Sequence, residues 1–137
     1  MDNLRNAVWR QVMSANIIEN LTVSEIKEVI STPTFQANTF SLTDSCTFYI
    51  TSNPGGTINL TNVSLTTNGV ITVTFISPNG SMVIPSGINV NGTAVSIKWQ
   101  GGTAPSQSSS QIQLVVFSII TLNNAVAHVI GAKSNYN

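Results

Sequence analysis

Residues 70–76 read Val-Ile-Thr-Val-Thr-Phe-Ile, and this stretch sets the fold class of the protein. Apolar side chains at Ile71, Val73 and Phe75 alternate with threonines. A period of two places one set of side chains on one face of an extended strand, and β-branched and aromatic residues favour that conformation. The stretch therefore predicts a half-buried β-strand.

The same alternation continues in both directions once the chain has passed Pro33. Turn signals rich in Gly, Pro and Asn separate the segments, and Asn68-Gly69 is the clearest candidate for a two-residue hairpin turn. Residues 112–120 are apolar on both faces, which predicts a strand at the centre of a sandwich or at a subunit interface. We predict a mainly β fold for residues 33–137, an antiparallel β-sandwich or jelly-roll-like domain of roughly seven to nine short strands.

The N-terminal region differs from this body in both charge and periodicity. Seven of the ten charged side chains lie within the first 28 residues, where apolar residues recur at spacings of three and four. This spacing predicts a short amphipathic helical arm over residues 1–32, with a capping box at Thr22 and Glu25. Short helices are not stable alone, so the arm packs on its own domain or anchors the chain to a partner. The candidate anchoring residues are Leu4, Val8, Trp9, Val12, Ile26 and Ile30.

Charge is scarce in the protein as a whole. Charged residues make up 7% of the chain and the formal net charge is zero, while Ser, Thr and Asn supply 49 of the 137 residues. Nucleic acid binding would need a basic patch that five scattered Lys and Arg residues do not form. No apolar run is long enough for membrane insertion. A surface with so little charge has little protection against self-association, which suits a protein that works inside an assembly.

Residues suited to catalysis or metal binding are few after the arm. Asp44 is the sole acid beyond residue 28, Cys46 the sole cysteine and His128 the sole histidine of the chain. Acid–base catalysis and metal sites need several such groups together, so we predict no enzyme activity, no cofactor and no metal site within one chain. A metal shared by three copies of His128 stays open.

Two of these residues have predicted structural roles. Cys46 lies in an apolar, hydroxyl-rich run without a basic neighbour, which predicts a buried, inert thiol. His128 alternates in phase with Val126 and Ile130, which predicts that it lies on the apolar face of a final strand or at an interface.

A tryptophan near polar loops raises a different possibility, the binding of a neutral sugar. Amides, hydroxyls and an aromatic ring are the groups that hold such ligands. Trp99 is in phase with Val95 and Ile97, however, so it also fits a residue that caps the core. The candidate receptor contacts are Asn91, Trp99, Gln100, Thr103 and Gln107.

Residues 98–105 read Lys-Trp-Gln-Gly-Gly-Thr-Ala-Pro and follow an alternating strand. This run, together with the Ser-rich loop after it, resembles a segment of the β-rich domains of phage fibre and tail proteins. Weaker similarity extends over residues 37–132. The chain departs from that pattern at Gln111, where the family often has aspartate, and at Asn123-Asn124, where aromatic residues are frequent. The resemblance implies a module on the virion surface.

Together these observations predict a non-enzymatic structural protein of a tailed-phage virion. It would be displayed on the particle surface as a capsid decoration protein or head fibre, with its N-terminal arm attached to other virion proteins of the capsid or tail. The resemblance also implies a homotrimer. The alternative is a tail fibre or adhesin module that binds a host-surface glycan or receptor.

Overall fold

The structure is a computed structural model that describes residues 28–33, 38–43, 45–51, 56–78, 84–107 and 111–136. The predicted helical arm lies outside the described residues except for its last five positions, 28–32. There the prediction of helix is wrong, because Ile30–Ser31 form a strand that pairs with Thr47 and Phe48. The described residues form ten strands. They are β1 (Ile30–Ser31), β2 (Thr39–Ser41), β3 (Thr47–Tyr49), β4 (Thr57–Thr61), β5 (Gly69–Ser77), β6 (Gly87–Val90), β7 (Thr93–Val95), β8 (Ile97–Trp99), β9 (Ile112–Leu122) and β10 (Ala125–Tyr136).

The strands belong to two sheets, which confirms the prediction of a mainly β fold. Sheet A has six strands in the order β1-β3-β5-β9-β10-β8, and sheet B has four in the order β2-β4-β6-β7. Both sheets contribute to one apolar core. The ring of Phe40 in sheet B lies 5.0 Å from that of Phe48 and 4.9 Å from that of Phe75, both in sheet A.

The first six strands wind as a coil, because the chain changes sheet at each of the five connections between them. As a result β1, β3 and β5 pair in parallel in sheet A, and β2, β4 and β6 pair in parallel in sheet B. The prediction of an antiparallel sandwich is therefore wrong for this half of the body. The alternation of side chains specifies which face is buried, but parallel and antiparallel strands share that period.

Antiparallel pairing dominates the second half. It joins β5 to β9, β9 to β10 and β6 to β7, whereas β8 runs parallel to β10. The β6–β7 turn is Asn91-Gly92, with φ of 49° and 83°, and the β9–β10 turn is Asn123-Asn124, with φ of 54° and 61°. Positive φ at both central positions is the requirement of the type I′ turn that connects two-residue hairpins.

The predicted hairpin at Asn68-Gly69 is wrong. Gly69 begins β5, whose partners are β3 and β9. The side-chain oxygen of Asn68 instead accepts a hydrogen bond from the backbone N–H of Asn123, at 2.9 Å. Asn68 thus braces the actual hairpin turn, which belongs to a different part of the chain.

Strand β9 lies at the centre of sheet A, as its two apolar faces predict. Val115, Phe117 and Ile119 are fully buried in the core, and the intervening residues lie on the opposite face of the sheet. Phe117 contacts the ring of Phe75 at 6.0 Å, edge to face. Burying each aromatic side chain of this kind stabilises the fold by about 1.5–3 kcal/mol.

Candidate functional site

One extended surface of the described residues is the face of sheet A that points away from sheet B, which we call the outer face of sheet A. Strand pairing places the same-parity residues of β5, β9 and β10 side by side there, for example Ile76 beside Leu114 and Val116 beside Ala132. Many of these side chains are apolar. They include Tyr49, Val70, Ile76, Ile112, Leu114, Val116, Ile120, Ile130 and Tyr136.

These side chains are accessible to solvent to an unusual degree for residues of their type. Ile112 is 46% exposed, Ile130 40% and Tyr136 54%, whereas Leu114 and Val116 are half-buried by their neighbours. Contiguous exposed apolar patches on a protein surface mark sites of interaction, whereas isolated apolar residues do not. The outer face of sheet A is therefore a candidate interface.

His128 lies on this outer face, opposite Ile120 of β9, and is exposed. The prediction that it shares an apolar face with Val126 is wrong, because a register irregularity between these two residues puts them on opposite faces of the sheet. Its phase with Ile130 is as predicted. The Nδ1 atom of His128 lies 3.3 Å from the Nζ atom of Lys98 on the neighbouring strand.

Charges occupy the two edges of the outer face. Among the described residues, Glu28, Lys98 and Lys133 are the ones with a full charge at neutral pH. Lys98 lies beside Ile130 on the edge strand β8. Glu28 immediately precedes the opposite edge strand, β1, and its carboxylate accepts a hydrogen bond from the hydroxyl of Thr47.

The outer face of sheet B has a different composition. Its side chains are hydroxyls and amides, as in the row formed by Thr39, Asn59, Asn89 and Ala94. The side-chain nitrogen of Asn89 donates to the side-chain oxygen of Asn59 at 2.7 Å. The two amides, on neighbouring parallel strands, are thus joined by a hydrogen bond. The outer face of sheet B presents polar groups without charge.

A groove of about 540 Å³ lies at the end of the molecule where the two hairpin turns meet. Its lining comes from the β6–β7 hairpin, the start of β10 and Leu65, and it includes Asn91 and Asn124. Both asparagines have positive φ because they form the turns. This is the one place where a predicted receptor contact, Asn91, borders a described concavity.

The amide of Asn91 already has partners within the protein. Its side-chain nitrogen donates to the carbonyl of Val63 at 2.8 Å, and its side-chain oxygen accepts from the N–H of Val63 at 3.0 Å. Its own backbone N–H donates to the carbonyl of Leu60 at 2.8 Å. Asn91 therefore ties the hairpin turn to the segment that follows β4, which is a structural role.

Trp99 is half-buried and packs on the core. Of the two predicted roles, this position fits the residue that caps the core. Its ring lies 5.8 Å from that of Phe117, and the backbone of Gly131 passes directly beneath it. A Cβ atom at residue 131 would lie 2.6 Å from two atoms of the indole ring. The tryptophan thus needs a glycine at this position of β10.

The loop after Trp99 holds the other predicted contacts. Gln100, Thr103 and Gln107 are exposed, and the chain turns between them at Gly101 and Gly102. Both glycines have positive φ, 87° and 85°, which explains the glycine pair in the sequence. The ammonium group of Lys133 donates a hydrogen bond to the carbonyl of Ser106 in the same loop.

The predicted receptor contacts do not converge on a single site. Asn91 lies beside Asn124 and Ala125 at the beginning of β10, whereas Trp99 pairs with Gly131. Gly131 lies six positions after Ala125, a distance of roughly 20 Å along β10 at about 3.3 Å per residue. Trp99, Gln100 and Thr103 are neighbours in sequence and form the second location.

Most predicted anchoring residues, Leu4, Val8, Trp9, Val12 and Ile26, lie outside the described residues. The sixth, Ile30, begins β1 and is 50% exposed. Cys46 is half-buried rather than buried as predicted. Asp44 also lies outside the described residues.

Among the described residues, no three His, Cys, Asp or Glu side chains lie close enough together to hold a metal ion. No helix in the same ranges is long and apolar enough to cross a bilayer.

Comparison with known proteins adds no relative. No family model, no curated protein and no solved structure matches this chain. The features of the site therefore stand on the residues themselves, and of these the outer face of sheet A is the most extensive.

Proposed function

We propose that this chain is a non-enzymatic structural protein of a tailed-phage virion. It is displayed on the particle surface as a capsid decoration protein or head fibre, its β-sandwich body projects outward, and its N-terminal arm binds other virion proteins. In the assembled particle the chain is a homotrimer. The observation that carries the proposal is the apolar, nearly uncharged outer face of sheet A, since such a surface needs a permanent partner.

Two features of the sequence support this proposal. The run from Lys98 to Pro105 resembles phage fibre and tail domains, and the glycine pair inside it forms a tight turn at positive φ. The scarcity of charge, 7% of residues, is tolerable for a chain held permanently within a larger particle. Neither feature depends on a catalytic group.

Immunogold electron microscopy of intact virions tests the proposal. An antibody raised against the full-length chain is applied to particles produced from the genome that encodes it, with virions lacking the gene as the control. Gold over the head is the expected result. Gold confined to the tail would replace the proposal with the adhesin alternative, and gold on no particle would overturn both.

The adhesin alternative has one specific observation in its favour, the exposed loop of Gln100 and Thr103 beside Trp99. A neutral glycan could lie across these amide and hydroxyl groups. The test is binding of the full-length chain to host cells, compared with a Gln100→Ala/Thr103→Ala variant. If the alternative holds, the variant loses binding, whereas a Ser64→Ala control, on an exposed residue elsewhere, retains it.

A further inference from the structure

We propose that copies of this chain associate through the outer face of sheet A, around a common axis, with Glu28 of one copy beside Lys98 of the next. The inference goes beyond placement on a virion, because it names the surface and the residues through which the chain binds itself. Three observations carry it: the apolar character of the face, its extent, and the position of its two charges.

The centre of the face has no charge to keep a second copy away. Between the two edges, the described strands β3, β5, β9 and β10 present Tyr49, Ile76, Leu114, Val116 and Ile130, together with hydroxyl groups. An interface between copies of one chain resembles a core cut in half, apolar at its centre with charges at its rim. The outer face of sheet A has this arrangement, and the polar outer face of sheet B does not.

The face is also large enough for a stable interface. Strands β5, β9 and β10 have 9, 11 and 12 residues. At about 3.4 Å per residue and 4.8 Å per strand they cover roughly 35 by 15 Å. The shorter flanking strands extend this area toward the roughly 800 Å² per partner of a standard interface.

The two charges lie at opposite edges of the face. Lys98 is on the edge strand β8, beside Ile130 of β10. Glu28 lies two residues before the other edge strand, β1, and its carboxylate accepts a hydrogen bond from the hydroxyl of Thr47. Five strand spacings separate the two edge strands, about 24 Å measured across the sheet.

Opposite charges on opposite edges favour a side-by-side arrangement of copies. In a ring of copies whose outer faces surround a common axis, the β1 edge of one copy lies next to the β8 edge of the next, so that Glu28 meets Lys98 at every junction. Opposite charges at complementary positions fix the register of an apolar interface.

The number of copies follows from measurement, and three are expected from the proposed function. Light scattering of the full-length chain at micromolar concentration and low salt gives the mass. An oligomer is the expected result. A monomer under these conditions would overturn the inference and the proposed homotrimer with it. The placement on the virion is tested separately, by the immunogold labelling.

Substitutions then locate the interface. Val116→Lys puts a charge at the centre of the outer face and is expected to weaken association by about tenfold or more. The matched control is Thr39→Lys, an exposed position on the outer face of sheet B, which should leave the mass unchanged. Circular dichroism verifies that both variants keep the β fold. Loss of association in the control alone, or in neither variant, would overturn the inference.

A charge reversal tests the junction itself. Glu28→Lys and Lys98→Glu each place like charges together and are expected to weaken association about fivefold, the scale of an exposed ion pair. The double reversal restores opposite charges and should recover the affinity of the original chain. If association of the double variant is weakened by the sum of the two single effects, the proposed contact between Glu28 and Lys98 is wrong.

Discussion

The outer faces of the two sheets share a core, yet they present opposite surfaces. On sheet B the outward positions carry Asn and Thr, and Asn89 and Asn59 satisfy each other at 2.7 Å. On sheet A the equivalent positions carry Ile, Leu, Val and Tyr, with Ile130 40% exposed. An uncharged polar face is stable in water by itself, whereas an apolar one is stabilised by burial. The difference is the reason for proposing that sheet A is the side that contacts other copies.

The largest effect is expected from a substitution in the apolar core that the two sheets share. Phe75→Ala deletes a ring that contacts Phe40 in sheet B and Phe48 and Phe117 in sheet A. We expect a loss of about 3–5 kcal/mol in the free energy of unfolding, measured by urea denaturation. Phe75→Leu, which keeps most of the volume, should cost less than half as much. Equal costs for the two variants would mean that the ring contacts, and not the filled volume, account for the loss.

A second substitution affects sheet A without touching sheet B. In Gly131→Ala the new methyl group would lie 2.6 Å from the indole of Trp99, so the ring must move. We expect a loss of about 3 kcal/mol and a shift in tryptophan fluorescence. The control is Gly69→Ala, where an added Cβ has nothing within 4 Å. A fluorescence spectrum unchanged by Gly131→Ala would contradict the packing of Trp99 described above.

The hairpin that closes sheet B provides a third test. Asn91→Ala removes two hydrogen bonds to Val63 and places alanine at a φ of 49°. The expected loss in the free energy of unfolding is about 2 kcal/mol. About 1 kcal/mol comes from losing the two hydrogen bonds together, and a similar amount from holding alanine at positive φ. Asn91→Gly tolerates the φ and separates the two contributions. If both variants unfold at the same urea concentration as the unaltered protein, the amide of Asn91 has no structural role. Asn91 would then again be a candidate receptor contact.

The smallest effect is expected on the polar face itself. Asn89→Ala breaks the hydrogen bond to Asn59 on a half-buried surface, at a cost of about 1 kcal/mol. Because the change leaves the outer face of sheet A intact, the mass of the oligomer should not change. A large change in mass would show that sheet B also contributes to association.

Local side-chain patterns predicted the strands and their buried faces well. Val73, Phe75, Phe117 and Ile119 are all fully buried on the faces that the alternation indicates. Strand partners were not predictable in the same way, because Thr47 pairs with Thr74 across 27 residues of chain. Pairing over that distance depends on where the connections lead, and the period-two pattern does not contain that information.

Turns and irregularities account for most of the remaining differences. Asn68-Gly69 has the sequence of a hairpin turn, but the pairing of β5 with β9 overrides that local preference. Asn123-Asn124 lacks glycine, although asparagine tolerates positive φ well enough to form the turn. His128 is displaced to the outer face by a strand irregularity that no pattern in the sequence marks.

The candidate site was the least predictable part. The packing of Trp99 on the core was one of two predicted alternatives. In the structure its ring contacts Phe117 and lies against the backbone of Gly131, and the sequence pattern did not indicate either neighbour. Glu28 and Lys98 are far apart in sequence, and five successive strand pairings bring them to opposite edges of one face. A property of that kind becomes visible only with the order of the sheet.

The coiled path of the first six strands has a consequence for how the chain is made. Ribosomes release the N-terminal end first, so β5 emerges well before its antiparallel neighbour β9 at residues 112–122. Until β9 arrives, β5 has one row of unpaired backbone N–H and C=O groups along a nine-residue edge. Pairings between distant segments also form slowly. The nascent chain therefore passes through a stage with an open, apolar strand edge, at which encounters with other nascent copies favour aggregation over folding.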